Sequence, residues 1–400
     1  MVVSRVLLRT KAGQALVLLG LATSIMCLWT AHYEWGYHSS VPHVQFRIPR
    51  ELRGQARDYV VVNALLEEIH GYNDDEEAND DSYKANSSPR GGVLEPCALY
   101  AIDSLVGRLA GLKDCVAPEE LVINHPDVEV GGRVRPKNCT AKEKLAIVIP
   151  FRNRFTHLYI LLNNLIPLLQ RQLVDARLFV IEQAMATMFN RAALFNIGFL
   201  EALKFDDFDC FIFHDVDLIP LDDRNLYRCD DQPVHLAVAM DKYDYKLPYK
   251  TYVGGVVAFT RGQYLQINGN SNLYFGWGGE DDDLYERIAN KNYEIARPYQ
   301  DVGKYDMMRH LHDSGNEDNC NRRRLIKSAR RRQDVEGLNS VSYSKNSVTV
   351  KSHVTWINVY IDLNRTIATA PDYVLQELAL QHNAARGHGC NFSRDAPIHE

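Results

Sequence analysis

The sequence predicts an α/β fold with a mostly parallel central sheet flanked by helices. Two observations carry that prediction. Short apolar, β-branched runs alternate with longer stretches whose leucines and isoleucines recur at helical spacing, and strand–helix–strand–helix–strand order means parallel strands with right-handed crossovers. The third such strand then ends in two carboxylates, Asp215 and Asp217, at the strand's carboxyl end, where open α/β sheets place their ligands.

In chain order, 145–150 reads as a buried strand, 157–172 as a helix, 178–181 as a second strand, 191–203 as a second helix and 210–213 as the third strand. Further strands are expected at 236–240 and 256–259, and a helix over 281–290. In F-H-D-V-D-L-I-P (213–220) the side chains of Asp215 and Asp217, two residues apart in an extended segment, point the same way. Both can face one cation, and Pro220 stops the strand. An Asp-rich turn after a core strand is the competing reading of the same residues. No G-x-G-x-x-G or G-K-[ST] loop follows the first strand, so a nucleotide's phosphates would need a divalent ion on these carboxylates.

Ahead of this domain, Arg5, Arg9 and Lys11 precede an uncharged run from Ala12 to Ala31, roughly the 20 residues a helix needs to span a bilayer. Positive charge before the run and Glu34 after it predict a cytoplasmic tail (1–11), a transmembrane signal-anchor (12–31) and a lumenal remainder. A cleaved signal peptide would have a shorter apolar core and a small-x-small exit. Residues 32–95 carry acidic blocks and an Asn-Ser-Ser-Pro tract that suit a solvated stem, with a short helix conceivable at 61–70. An ordered domain is expected over 96–364 and a C-terminal extension over 365–400.

Net charge of −6 gives no global reason to expect nucleic acid. The basic run Arg322–Arg332 is local and suits a solvated face as readily as an anion site. Four N-x-S/T sites, at Asn86, Asn138, Asn364 and Asn391, fit a lumenal chain. Of eight cysteines, Cys27 lies in the apolar run; in an oxidising lumen most of the other seven should pair, leaving one odd thiol.

The chemistry-bearing residues fall at the expected sheet edge. Pro150-Phe151-Arg152-Asn153-Arg154 follows the first strand, and Met188-Phe189-Asn190-Arg191 follows the second; guanidiniums there suit phosphate or ribose contacts. Phe275-Gly276-Trp277-Gly278-Gly279-Glu280-Asp281-Asp282-Asp283 sets glycines around a tryptophan before four acids. The acids suit a helix N-terminus or a general base beside a sugar-stacking ring. Met307 and His310, in M-M-R-H, would with a carboxylate make a mixed set that suits Mn2+ better than Mg2+; sequence alone does not bring them to Asp217.

These motifs resemble, in order, the β-1,4-galactosyltransferase family: P-F-R-N-R (150–154), F-N-R-A (189–192), D-V-D-L-I-P (215–220), A-M-D-K (239–242), Y-V-G-G-V (252–256), G-W-G-G-E-D-D-D (276–283), M-M-R-H (307–310) and G-L-N-S (337–340). The resemblance spans roughly residues 97–362. It implies a GT-A type nucleotide-sugar-binding fold and an inverting, Mn2+-dependent Golgi enzyme with a type II anchor. By motif, Asp217, Met307 and His310 are implied as Mn2+ ligands. Pro150, Phe151, Arg152, Asn153, Arg154, Phe189, Arg191, Asp215, Val216, Lys242, Tyr252, Gly255 and Trp277 are implied as donor-binding residues. Trp277 is implied as the ring of a mobile loop, Glu280 as the residue holding the sugar hydroxyls, and Asp281 as the base for the acceptor's 4-hydroxyl. The same resemblance implies disulfides Cys97–Cys139 and Cys210–Cys229; a Cys320–Cys390 bridge is a further expectation.

What it implies for function is transfer of galactose from UDP-galactose to a terminal N-acetylglucosamine of a glycan. The implied partners are donor, acceptor, membrane and a specificity-modifying protein or second copy, with no nucleic acid. Tyr252 stands where a bulky hydrogen-bonding residue goes with galactose and a smaller aliphatic one admits an N-acetyl group. The family's invertebrate UDP-GalNAc users make the alternative enzyme reading, and a catalytically silent Golgi binding protein the remoter one. Departures lie on the acceptor side: where the family often has Arg-Phe with an Ile three residues on, this chain has Arg322, Arg323 and Ile326. The basic run there suits an acidic glycan equally, and residues past Asn364 exceed the family's usual end.

Overall fold

The computed structural model describes residues 94–97, 104–184, 187–309 and 316–376. The expected tail, anchor, most of the stem, the 61–70 helix, His310, Cys390 and the end of the C-terminal extension lie outside the described residues. Among those described, no helix is long and apolar enough to cross a membrane.

The elements run α1 (Pro118–Asn124), β1 (Arg133–Val134), β2 (Lys144–Phe151), α2 (Phe155–Arg171), β3 (Asp175–Gln183), α3 (Arg191–Ala202), β4 (Cys210–His214), β5 (Leu218–Pro220), β6 (Val234–His235), β7 (Ala239–Met240), β8 (Val256–Thr260), α4 (Arg261–Gln266), α5 (Glu280–Asn290), β9 (Lys304–Met307), α6 (Arg322–Arg332), β10 (Ser344–Val350), β11 (Thr355–Tyr360) and α7 (Leu363–Ala368). The main sheet has the order β10-β11-β3-β2-β4-β8-β6, with β1 on the start of β3. Its centre, β11-β3-β2-β4, is parallel. The flanking pairs are antiparallel. This bears out the expected fold class.

Alternation along the central strands builds both faces of the core. In β2, Leu145, Ile147, Ile149 and Phe151 join Leu158, Leu161 and Leu165 of α2 on one side. Ala146 and Val148 join Ala193, Leu194 and Ile197 of α3 on the other. Phe211 and Phe213 of β4 follow the second pattern and Cys210 and Ile212 the first. Each fully buried side chain of this size contributes about 1.5–3 kcal/mol, so these two layers, rather than surface ion pairs, hold the sheet edge in place.

Two expectations are corrected here. Asp215 and Asp217 are not in an extended strand: β4 ends at His214, and the Leu218 amide donates to the Asp215 carbonyl at 3.4 Å across a turn. Pro220 does not stop that strand but ends the separate β5. Of the expected strand 236–240 only Ala239–Met240 is a strand, β7, because the chain crosses between sheets there: β6, just before it, pairs with β8, whereas β7 joins β5 and β9 in a second sheet ordered β5-β9-β7.

The disulfides Cys97–Cys139 and Cys210–Cys229 are present. Cys115 and Cys320 are also disulfide-bonded, so the expected odd thiol is not among the described residues. At the C-terminus, α7 runs across the expected boundary at 364. Beyond it Ala370 and Val374 are buried against Leu273, Tyr274 and Leu325. Apolar side chains there continue the core.

Candidate active site

Three parallel strands deliver their carboxyl-terminal loops to one edge. From the β2 loop, Arg152 donates to the Thr187 carbonyl at 2.8 Å and lies over the Phe189 ring at 5.0 Å. Asn153 adopts a left-handed φ of 51°, and Arg154 occupies the N-cap position of α2 without a side-chain capping bond. Phe151 itself turns its ring into the core, edge-on to Phe155 and Trp356, so only its backbone is offered to a ligand. From the β3 loop, the Asn190 side chain caps α3, accepting from the Ala193 amide, and thereby aims Arg191 across the edge.

Arg191 is the hub. Its guanidinium donates to Asp215 at 2.5 Å and to Asp281 at 2.7 Å, and Glu280 lies 3.7 Å away. Burial alone would lower the Arg191 pKa, but Asp215, Asp281 and Glu280 outweigh it and hold the group well above its ordinary value. Asp215 is pushed up to about 6 by burial and by Asp217 and Asp281, against the pull of Arg191. Val216, between the two aspartates, packs on the core.

Met307 reaches the same place through strand register. β9 pairs with β5 so that Leu218 faces Met307, and the Met308 amide donates to the Asp217 carbonyl at 2.8 Å. The Met307 amide in turn donates to Asp241 at 2.8 Å, beside Lys242 on the 3-10 turn Asp241–Tyr243. Thus two of the three expected metal ligands are brought together; His310 lies outside the described residues. Among the described residues no three His, Cys, Asp or Glu side chains converge as a metal site. Strand pairing thus sets the backbone of Met307 next to that of Asp217; a carboxylate and a thioether with an imidazole added would make a mixed donor set of the kind expected for Mn2+ rather than Mg2+.

Tyr252 stands at the same edge, just ahead of β8, which runs antiparallel to β4 so that the Asp215 amide donates to the Gly255 carbonyl at 3.1 Å. Tyr252 is packed between the His235, Tyr243 and Tyr249 rings, all edge-on at 5.4–6.0 Å. Gly254 explains how its hydroxyl meets the acids. A Cβ on Gly254 would lie 2.4 Å from Tyr252 Oη and 2.5 Å from Asp281 Oδ2, so both groups occupy the space a side chain would take. Gly254→Ala should lower kcat about 10²-fold, because a displacement near 1 Å has that effect on aligned groups. Steady-state kinetics checks this, with UDP binding measured alongside to show that the variant is folded. Gly255 sits beside it at φ 90°, under Leu218.

The four acids opening α5 go to four different places, and none caps the helix: its N-cap is Gly279, with no side-chain bond. Asp281 takes Arg191, Asp282 accepts from Tyr249 at 2.8 Å, and Asp283 is buried with Arg287. Glu280 Oε2 is buried without a hydrogen-bond donor among the described residues. Burial and then Asp281 push Glu280 up to about 8. Between its ordinary value of 4.5 and 8 the unfolded chain releases a proton that the folded chain keeps, so stability falls as pH rises through that window. Ligand-free Glu280→Gln should therefore melt above the parent by a margin that widens from pH 5 to pH 8. Thermal denaturation over that range checks it, and a parent that melts higher at pH 8 would refute it.

Trp277, three residues before Glu280, is 44% exposed. Its amide donates to the Glu317 carbonyl at 2.8 Å and its carbonyl accepts from Asn319 at 2.9 Å, while the Gly276 amide donates to the Phe189 carbonyl at 2.8 Å. The Arg322 guanidinium lies 5.6 Å from its ring. The basic run 322–332 is thus neither a plain solvated face nor wholly an anion site. Arg330 pairs with Glu286, Arg331 stacks on Tyr373, and Arg332 is fully buried against Asp283 and Glu336. Sequence reading missed Gly254, Glu317 and Asn319. The double glycine in Y-V-G-G-V was the available signal for the first; nothing local marked the other two.

Comparison with known proteins gives the class first. Residues 103–230 match the family described as the N-terminal region of glycosyl transferase group 7, and residues 234–311 the N-terminal domain of galactosyltransferase. Together they span the β2–β5 edge, Tyr252, α5 and Met307, and the chain is a glycosyltransferase. Among individual relatives, β-1,4-galactosyltransferase 4 of Homo sapiens is 47% identical over 61% of this chain and 70% of its own. β-1,4-galactosyltransferase 2 of Cricetulus griseus is 43% identical over 71% and 77%. β-1,4-galactosyltransferase 1 of Mus musculus is 48% identical over 61% of each, so the match spans less than two thirds of that relative. The chain belongs to the β-1,4-galactosyltransferase family. A solved Drosophila β-1,4-galactosyltransferase 7, in complex with manganese, UDP-Gal and xylobiose, is 31% identical over 57% of this chain and 99% of its own, with a TM-score of 0.47.

Proposed function

We propose that this glycosyltransferase moves galactose from UDP-galactose, in β-1,4 linkage and with inversion, onto a terminal β-N-acetylglucosamine of glycoprotein or glycolipid glycans. The convergence of Tyr252 Oη and Asp281 Oδ2 over Gly254, beside Glu280 Oε2, which has no donor among the described residues, carries the reading. Asp281 accepts the proton of the acceptor's 4-hydroxyl as it attacks. Glu280 accepts a hydrogen bond from a sugar hydroxyl, giving its buried oxygen the donor it lacks. Tyr252 fills the space that an N-acetyl group on the donor would need. Arg152, Arg154, Arg191 and Lys242, with the Pro150–Asn153 backbone and Phe189, hold the nucleotide. Trp277 covers donor and acceptor and excludes water. Asp217, Met307 and His310 would hold Mn2+, which when bound supplies positive charge to the departing diphosphate. The 12–31 segment anchors the enzyme in the Golgi membrane as a single-pass type II protein, and a specificity-modifying partner or second copy fits the same setting.

The test is transfer by the full-length chain with Mn2+ and a β-N-acetylglucosaminide, UDP-galactose and UDP-N-acetylgalactosamine being compared and the linkage read by NMR. Dominant galactose transfer in β-1,4 linkage is expected, and Tyr252→Leu should raise N-acetylgalactosamine transfer about tenfold or more. Dominant N-acetylgalactosamine transfer by the parent would assign the alternative donor. Absence of transfer with either donor would point to a different acceptor, and the 322–326 segment would be varied next.

A further inference from the structure

The segment that carries Tyr252 is held by a cation that has no anionic partner among the described residues. Arg297 follows α5 and lies against β6, where the Ala296 amide donates to the Pro233 carbonyl and the His235 amide to the Ala296 carbonyl, both at 2.9 Å. Its Nη2 donates to the Tyr252 carbonyl at 2.9 Å and to the Lys250 carbonyl at 3.0 Å. Its Nε donates to His235 Nδ1 at 3.3 Å. A ring nitrogen that accepts leaves the other to carry the proton, so His235 Nε2 donates to the Gly254 carbonyl, 2.9 Å away. One guanidinium, directly and through one imidazole, thus ties down the carbonyls of residues 250, 252 and 254.

Two further observations separate this from ordinary packing. Among the described residues no carboxylate pairs with Arg297, and burial draws its pKa down. A half-buried cation given only neutral acceptors is a poor source of stability. Locally unfavourable choices of this kind occur where a site needs them. His235 is fully buried and held neutral, down to about 3, by burial. It also packs its ring edge-on against Tyr252 at 5.6 Å. Backbone and ring of Tyr252 are therefore fixed by the same pair.

We propose that Arg297, acting through His235, is a specificity-determining positioning residue that sets how far the Tyr252 ring reaches toward the donor sugar. This rests on the reading of Tyr252 as the side chain that excludes an N-acetyl group. A small retreat of the ring opens the space that Gly254 leaves and admits the larger sugar, without touching the acceptor.

The test compares Arg297→Met, Arg297→Lys and Tyr252→Leu, and the double variant Arg297→Met/Tyr252→Leu, in the full-length chain. kcat/KM is measured for UDP-galactose and UDP-N-acetylgalactosamine, and amide hydrogen exchange is followed over residues 250–256. Arg297→Met should lower the galactose preference about tenfold, leave the acceptor KM unchanged and speed exchange over that segment. Arg297→Lys, which retains a donor, should fall between it and the parent and serves if the methionine variant does not fold. The double variant should show little more relaxation than Tyr252→Leu alone, because both act on one space. If the Arg297 variants lose activity equally with both donors while Tyr252→Leu relaxes the preference, the positioning role is overturned and the Tyr252 reading stands. If Tyr252→Leu leaves the preference unchanged, the Tyr252 reading fails and the proposal with it.

Discussion

Asp281→Asn should lower kcat for sugar transfer about 10³-fold, within the range for loss of a positioned general base, with equilibrium binding of UDP nearly unchanged. The substitution is close to isosteric, and an amide oxygen can still accept from Arg191, now 2.7 Å from Asp281 Oδ1. The Arg191–Asp215 pair at the nucleotide edge therefore survives. What is lost is the basicity of the oxygen that faces Tyr252 over Gly254. Single-turnover kinetics with saturating donor separates the chemical step from binding. Retention of more than a tenth of the parent rate would move the base elsewhere, and Glu280, whose Oε2 has no donor among the described residues, would be examined next.

Arg332→Met should destabilise the fold by about 3–5 kcal/mol, the range for removing one partner from a buried ionic group, and lower the melting temperature by roughly 10 °C. Asp283, Arg287, Arg332 and Glu336 are all fully buried and form a closed ring. Arg287 bonds Asp283 at 2.7 Å and Glu336 at 2.8 Å, and Arg332 bonds Glu336 at 3.0 Å and also Asp283. Two cations and two anions cancel; removing one cation leaves two buried carboxylates on one guanidinium. Adding Glu336→Gln restores the balance and should recover part of the loss, which thermal denaturation of the four-variant cycle measures. A single-variant loss under 1 kcal/mol would show that the ring adds nothing. The ring bears on function because it joins α5, which carries Asp281, to α6, which carries Arg322 against Trp277.

Much of the frame was legible from the chain alone. Strands β2, β3 and β4 and helices α2 and α3 follow from apolar periodicities of 2 and 3.6, which are local properties of a sequence. The carboxylates after β4 and the arginines after β2 and β3 follow from the rule that parallel strands share a carboxyl edge. The family's motifs pointed to the cysteine pairs that the structure contains.

Tertiary structure alone decided how that edge becomes a site. The Asp215–Asp217 segment read as extended, yet it turns because β5 is drawn away to pair with β9, the same pairing that brings Met307 beside Asp217. The acids opening α5 read either as helix N-terminal charge or as a general base; it is Arg191, 90 residues before Asp281, that claims one of them, and the buried ring that claims another. Arg332 read as part of a basic run that was either a solvated face or an anion site, and it is wholly enclosed. In each case periodicity tells which side of an element a residue occupies, whereas the charge or surface it meets there is supplied by a distant segment. Only the packed chain brings that segment to it.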